Sequence, residues 1–135
     1  MAEETATRDP VELTRLAFEA VNRHDLDAVA SFFAPDAVLD GRVEVVKGRE
    51  AIRRFLVEWF GAFAELRMEA AEVAVVGHGV VLAVVSQEGR LAGVSEQVHQ
   101  QEGWVICWSD DGLLAHLTTR TDIDEARAVA ASAAP

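Results

Sequence analysis

The hydrophobic period of the chain changes once, near Glu65, and that change restricts the possible folds more than any other feature. Before it, apolar residues recur at steps of three and four. Ile52, Phe55, Leu56, Trp59, Phe60 and Phe63 form the widest such stripe, which marks a helix laid on a large hydrophobic surface. After it come four extended segments, residues 66–76, 80–91, 95–108 and 113–121. Gly77-His78-Gly79 and Asp110-Asp111-Gly112 supply residues suited to the positive φ of tight hairpins, so the segments are expected to form an antiparallel meander. Helices first and a meander afterwards give an α+β architecture, with the helices on one face of a curved sheet.

The helical half is punctuated clearly. Asp9-Pro10-Val11-Glu12 places a carboxylate at the N-cap, proline at the first helical position and an acid at the third. Leu13, Leu16, Ala17, Ala20 and Val21 continue that helix, and Asn22-Arg23-His24 closes it. Asp25 caps a second, shorter helix whose face is Leu26, Val29, Ala30 and Phe33, with Pro35 ending it. Residues 37–41 read as a short strand, Gly48 opens the third helix, and Asp122 with Glu125 caps a final one. The 135 residues fit one domain, with a core over about 10–130.

Charge and composition exclude several function classes. Twelve Lys and Arg stand against 23 Asp and Glu, a formal net charge of -11, so a nucleic acid or an anionic membrane is repelled at long range. Residues 1–9 are polar and no apolar run reaches the length of a membrane span, so a cytoplasmic protein is expected. Four histidines at 24, 78, 99 and 116 lack metal-ligand spacing, and the glycines form no phosphate or dinucleotide loop. Neither a metal nor a cofactor is therefore expected. Arg49, Arg53 and Arg54 read as the solvated face of the third helix, and Cys107 as a small buried hydrophobe. The run Val80-Val81-Leu82-Ala83-Val84-Val85 does not alternate, so both its faces must leave water. With helices on one face, the other is expected to pack against a second subunit in a homodimer.

Three stretches in order, Val21-Asn22-Arg23-His24-Asp25-Leu26-Asp27-Ala28-Val29, Phe32-Phe33-Ala34-Pro35-Asp36-Ala37-Val38 and Lys47-Gly48-Arg49-Glu50-Ala51-Ile52, resemble the SnoaL-like branch of the NTF2-like superfamily. The late run Asp111-Gly112-Leu113-Leu114 leading to Thr121-Asp122 is similar to that family's last strand. The resemblance implies a cone-shaped barrel: three N-terminal helices on a curved, mostly antiparallel sheet, a short C-terminal helix, an apolar pocket inside, and usually a dimer. Its relatives include polyketide cyclases, ketosteroid isomerases, dehydratases, epoxide hydrolases and proteins without demonstrated activity, so the fold limits the pocket more than the reaction.

Isomerases of the superfamily use a tyrosine and a protonated acid to hold an oxyanion, with a carboxylate as base. This chain has no tyrosine, and Trp104-Val105-Ile106-Cys107-Trp108 occupies the stretch where the second acid is expected. The family's base position corresponds to Gly41, with Asp40 beside it at the mouth of the cone. The histidine that assists an aspartate in the cyclases is replaced by Ser86-Gln87-Glu88-Gly89.

The remaining polar set is different. Gln97, His99 and Gln101 share one strand face, and Trp104 and Trp108 fall in the opposite phase. A bulge at Gly103 would bring both groups onto the concave face. His116, Thr118 and Arg120 are in phase on the next strand, and Trp59 and Phe63 would complete the walls. Asp40 and His99 are then the expected catalytic pair for cyclisation, isomerisation or dehydration of a largely apolar, carbonyl-containing molecule. Two alternatives stay open: a non-catalytic domain binding a small apolar or amphipathic molecule, and an epoxide hydrolase-like site built from Arg120-Thr121-Asp122 with Asp40.

Overall fold

The computed structural model describes residues 9–41 and 43–133. Helices α1 (Pro10–Asn22) and α2 (Leu26–Ser31) lead into strands β1 (Phe33–Asp40) and β2 (Val45–Lys47), then helix α3 (Arg49–Gly61). Strands β3 (Phe63–Gly77), β4 (Val80–Leu91), β5 (Val98–Trp108) and β6 (Leu114–Arg120) follow, and α4 (Ile123–Ala133) ends the described chain. One sheet holds all six strands in the order β2-β1-β6-β5-β4-β3. Its pairs are antiparallel except β1 with β6, which run parallel.

The capping carboxylates hold the helix starts. Asp9 accepts from the Val11 amide at 3.0 Å, Asp25 from Ala28 at 3.1 Å, and Asp122 from Asp124 and Glu125 at 2.9 and 3.2 Å. Asn22-Arg23-His24 does more than stop α1. Strand β3 is an edge strand, so the backbone groups on its free side need partners from elsewhere. The Asn22 amide supplies two of them, donating to the Met68 carbonyl at 2.7 Å and accepting from the Met68 amide at 2.8 Å. His24, at φ 57°, brings its ring nitrogen 3.0 Å from the Leu66 carbonyl.

Three local features differ from the expectation. Helix α2 ends at Ser31, ahead of Pro35, and Phe33 starts β1 with its side chain buried. Pro35, which has no N–H to give, sits where the β1–β6 ladder slips between Phe33 and Val38. Strand β2, only three residues long, is too short to show a period. Strand β5 starts at Val98, because Ala92 and Val94 are engaged in a turn that donates to the Ala62 and Leu91 carbonyls.

The two faces of β4 are both buried, as its unbroken apolar run requires. Val81, Ala83 and Val85, all at 0% exposure, pack with α1, α2 and α3 in the main core. Val80 and Leu82 belong to a second cluster with Val105 and the α4 residues Ala126 and Ala130. The expectation of a second subunit on this face loses its premise, because the chain's own C-terminal helix covers it. Among the described residues, no helix is long and apolar enough to cross a membrane.

Candidate functional site

A cavity of about 400 Å3 lies between the three N-terminal helices and the inner face of the sheet. Helix α3 and Phe63 just beyond it give one wall, where Trp59 meets Phe60 and Phe63 edge-on with ring centroids 5.1 and 5.3 Å apart. Opposite them, the inner face of β5 presents Trp104, Ile106 and Trp108. Trp104 lies against Phe18 of α1 at 5.3 Å. Trp108 spends its N–H on the buried Thr14 hydroxyl at 3.0 Å, which in turn donates to the Pro10 carbonyl at 2.7 Å.

The register of β5 decides which of its polar residues enter the cavity. Residues Val98 to Cys107 pair with β4 without interruption, so there is no bulge at Gly103. Alternation then puts Gln100 and Glu102 on the same face as Trp104, Ile106 and Trp108, and Gln101 and His99 on the outer face. Gly103 answers to another need: a Cβ there would come within 2.4 Å of the Ala126 Cβ, so the glycine lets α4 lie directly on the strand.

Glu102 is the centre of the polar part of the site. Its Oε1 accepts from Gln87 Nε2 and from Trp104 Nε1, each at 2.9 Å, and its Oε2 accepts from Gln100 Nε2 at 2.9 Å. Three neutral donors on two neighbouring strands thus fix one carboxylate against an aromatic wall. Thr119 of β6 also lines the cavity, paired in register with Trp104, and so stands at the same end. Among the described lining residues, Glu102 is the one charged side chain.

Of the residues expected at the site, Trp59, Phe63, Trp104 and Trp108 line the cavity, and the polar ones stand elsewhere. His99 is 60% exposed on the outer face, its Nε2 3.1 Å from Ser86 Oγ and 3.7 Å from Glu88 Oε2. Gln97 precedes β5 and reaches Glu65 at 3.5 Å, and Gln101 is exposed. His116 Nδ1 lies 3.3 Å from the Thr118 hydroxyl, and neither residue lines the cavity. Asp40 alternates with the cavity-lining Leu39 and Gly41, so its carboxylate points outward to Arg120, at 3.4 to 3.5 Å. Arg120 also donates to the Asp40 and Thr119 carbonyls at 3.2 and 2.8 Å and stands 3.8 Å from Glu125. This ion cluster ties β1, β6 and α4 together. Asp40→Asn is therefore expected to cost about 1 kcal/mol of stability, the scale of a weakened charged hydrogen bond, and to leave ligand binding in the cavity unchanged. Urea denaturation and calorimetric titration of the variant would check both parts.

Cys107 is half-buried next to the α4 cluster, and burial pushes its thiol pKa up. The thiolate is the reactive form. Iodoacetamide at neutral pH should label the native protein far more slowly than the unfolded chain, and equal rates measured by mass spectrometry would contradict this. Among the described residues no group of three His, Cys, Asp or Glu side chains stands together as a metal site needs.

The sequence matches the SnoaL-like domain over residues 14–117. The chain belongs to the SnoaL-like family. No curated protein matches the SnoaL-like chain in sequence. Solved structures match it in fold. SalBIII, an epoxide hydrolase/cyclase-like enzyme with a role in pyran ring formation in the polyether salinomycin, has a TM-score of 0.74 at 19% identity, covering 82% of this chain and 88% of its own. A Mycobacterium tuberculosis protein in complex with estradiol-17beta-hemisuccinate has a TM-score of 0.73 at 14% identity, covering 85% and 95%. A Sinorhizobium meliloti protein assigned as a polyketide cyclase has a TM-score of 0.69 at 28% identity, covering 81% and 94%. An NTF2-like protein of unknown function from Burkholderia pseudomallei, with a TM-score of 0.75 at 17% identity covering 86% and 92%, places the SnoaL-like chain in the NTF2-like fold.

Glu102, Gln100, Gln87 and Thr119 lie outside the site expected from the sequence. A usable signal was present in plain alternation. Counting back in twos from Trp108 through Trp104 reaches Glu102 and Gln100, and only the assumption of a bulge at Gly103 moved the count to the other face.

Proposed function

We propose that this SnoaL-like protein binds a largely apolar, carbonyl-containing small molecule in its cavity and moves a proton on it with Glu102. The observation that carries this reading is the Glu102 carboxylate, held by Gln87, Gln100 and Trp104 at the edge of an aromatic cavity. A carboxylate offers about four lone-pair positions, and three are taken. Oε1 is fully used by two donors, whereas Oε2 has Gln100 alone and keeps a position for the substrate. In the forward step Oε2 takes a proton from the carbon next to the carbonyl, and the C–H electrons become those of an enolate. The same oxygen then returns the proton to that carbon or to another atom of the ligand, giving exchange, isomerisation or the first step of a cyclisation or dehydration. Such proton transfer calls on no cofactor. The fold's occurrence in a cyclase-like enzyme and in a steroid complex supports a small-molecule cavity.

The test is exchange of the α-protons of hydrophobic ketones, followed by proton NMR in deuterated buffer. The expected result is loss of the α-proton signal faster than in buffer, saturating with ketone concentration. Saturable binding with no added exchange would overturn the catalytic part. It would favour the non-catalytic domain, in which the three donors make Glu102 a brace between β4 and β5.

A further inference from the structure

The polar groups of the cavity are gathered at one end, and the far end offers nothing unpaired. Along the inner face of β5 the order is Gln100, Glu102, Trp104, Ile106, Trp108, polar to apolar. At the apolar end the Trp108 N–H is already committed to Thr14, and Thr14 to Pro10. At the polar end Glu102 has already taken one amide proton from each of Gln87 and Gln100 and the Trp104 N–H, so what it still presents is an acceptor. No Lys, Arg or His is among the described lining residues. Arg120 faces outward to Asp40, and Arg90 is engaged with Glu65 and the Val94 carbonyl at 3.4 Å each.

Resting on the proposed reading of Glu102, we infer that the cavity selects a neutral ligand with an apolar ring body and a hydrogen-bond-donating head group, a hydroxyl or the enol of a carbonyl compound, and rejects the same skeleton ending in a carboxylate. The donor head meets the free position on Glu102 Oε2. A carboxylate head would meet a like charge on the half-buried Glu102 with no cation among the described lining residues to offset it. The apolar body goes toward the buried Ile106, Trp108, Leu114 and Leu117, where the lining is apolar.

Three probes of one skeleton separate these effects by isothermal titration calorimetry near pH 7: 2-naphthol, 2-methoxynaphthalene and 2-naphthoate. The naphthol should bind about tenfold or more tighter than the methyl ether, which cannot donate, the difference expected of one hydrogen bond to a charged acceptor. The naphthoate should bind more weakly than either. In Glu102→Gln the naphthoate penalty should disappear, because the repelling charge is gone while the side chain keeps its size. The wild-type ranking stands alone if that variant does not fold. Equal affinities for naphthol and its methyl ether, or naphthoate binding as tightly as naphthol, would overturn the inference while leaving the cavity as a ligand site. Failure of all three to bind would overturn the ligand-site reading and this inference with it.

Discussion

Glu102→Gln is expected to lower the rate of α-proton exchange by ~100-fold to ~10,000-fold, the usual consequence of removing a positioned acid or base. The substitution keeps the shape of the side chain and removes the proton acceptor. It also disturbs the local network. The amide that replaces the carboxylate cannot accept on its nitrogen, so at least one of Gln87, Gln100 and the Trp104 indole loses its partner. The expected cost in stability is about 1 to 3 kcal/mol, so the comparison belongs at a temperature where both proteins are folded. Exchange by the variant within a few-fold of wild type, with ligand affinity measured in parallel, would remove Glu102 from the chemistry. A partial control separates packing from chemistry. Gln100→Ala frees Oε2 of its donor and leaves the carboxylate in place, so the exchange activity should survive.

A large structural effect is expected at Gly103. A methyl group there would stand 2.4 Å from the Ala126 Cβ and 3.4 Å from the Ile123 Cα, and the nearer of these is far inside contact distance. Helix α4 must then retreat from the sheet, opening the packing of Val80, Leu82 and Val105 against Ala126 and Ala130. Overpacking of a close contact costs roughly 1 to 3 kcal/mol, and Gly103→Val should exceed Gly103→Ala. Pairing Gly103→Ala with Ala126→Gly moves the methyl group from one side of the contact to the other. The double variant should recover much of the loss despite the helix penalty of glycine, about 1 kcal/mol. Denaturant midpoints that simply add in the double variant would show that the two residues do not share this contact.

What could be read from the chain, and what could not, follows from the range of the physics involved. Caps are local: Asp9, Asp25 and Asp122 bond amides two or three residues away, and those helix starts were legible from residue type alone. The meander was legible because its first and last hairpins carry their own turns. Gly79 and Gly112 take φ values of 73° and 83°, which side-chain-bearing residues resist. The burial of residues 80–85 on both sides was also legible, but the partner on the second face was not. The pattern states that a surface must be covered without naming what covers it, and the small residues of α4 gave no strong signal of their own. Gly103 misled for the same reason. A glycine in a strand marks either a bulge or a close approach, and only the position of Ala126, far along the chain, separates the two. That single ambiguity decided whether His99 or Glu102 faced the cavity.

The one parallel contact in the sheet has consequences for the order in which the molecule takes shape. Asp40 and Arg120 touch across 80 positions of sequence, and between them β1 and β6 form the seam that joins the first strands to the meander. Strands β3, β4 and β5 can pair as successive neighbours while the chain is still emerging, because each closes only a short loop. The seam cannot form until residues 114–120 exist, and closing it fixes a much longer loop before its contacts repay the lost entropy. Until then Leu39 and Leu117, which face each other across the seam and line the cavity, have no neighbour on that side. The cavity is thus a late product of folding. Its walls come from both sides of the seam, so the space they enclose depends on the strand made last as much as on the helices made first.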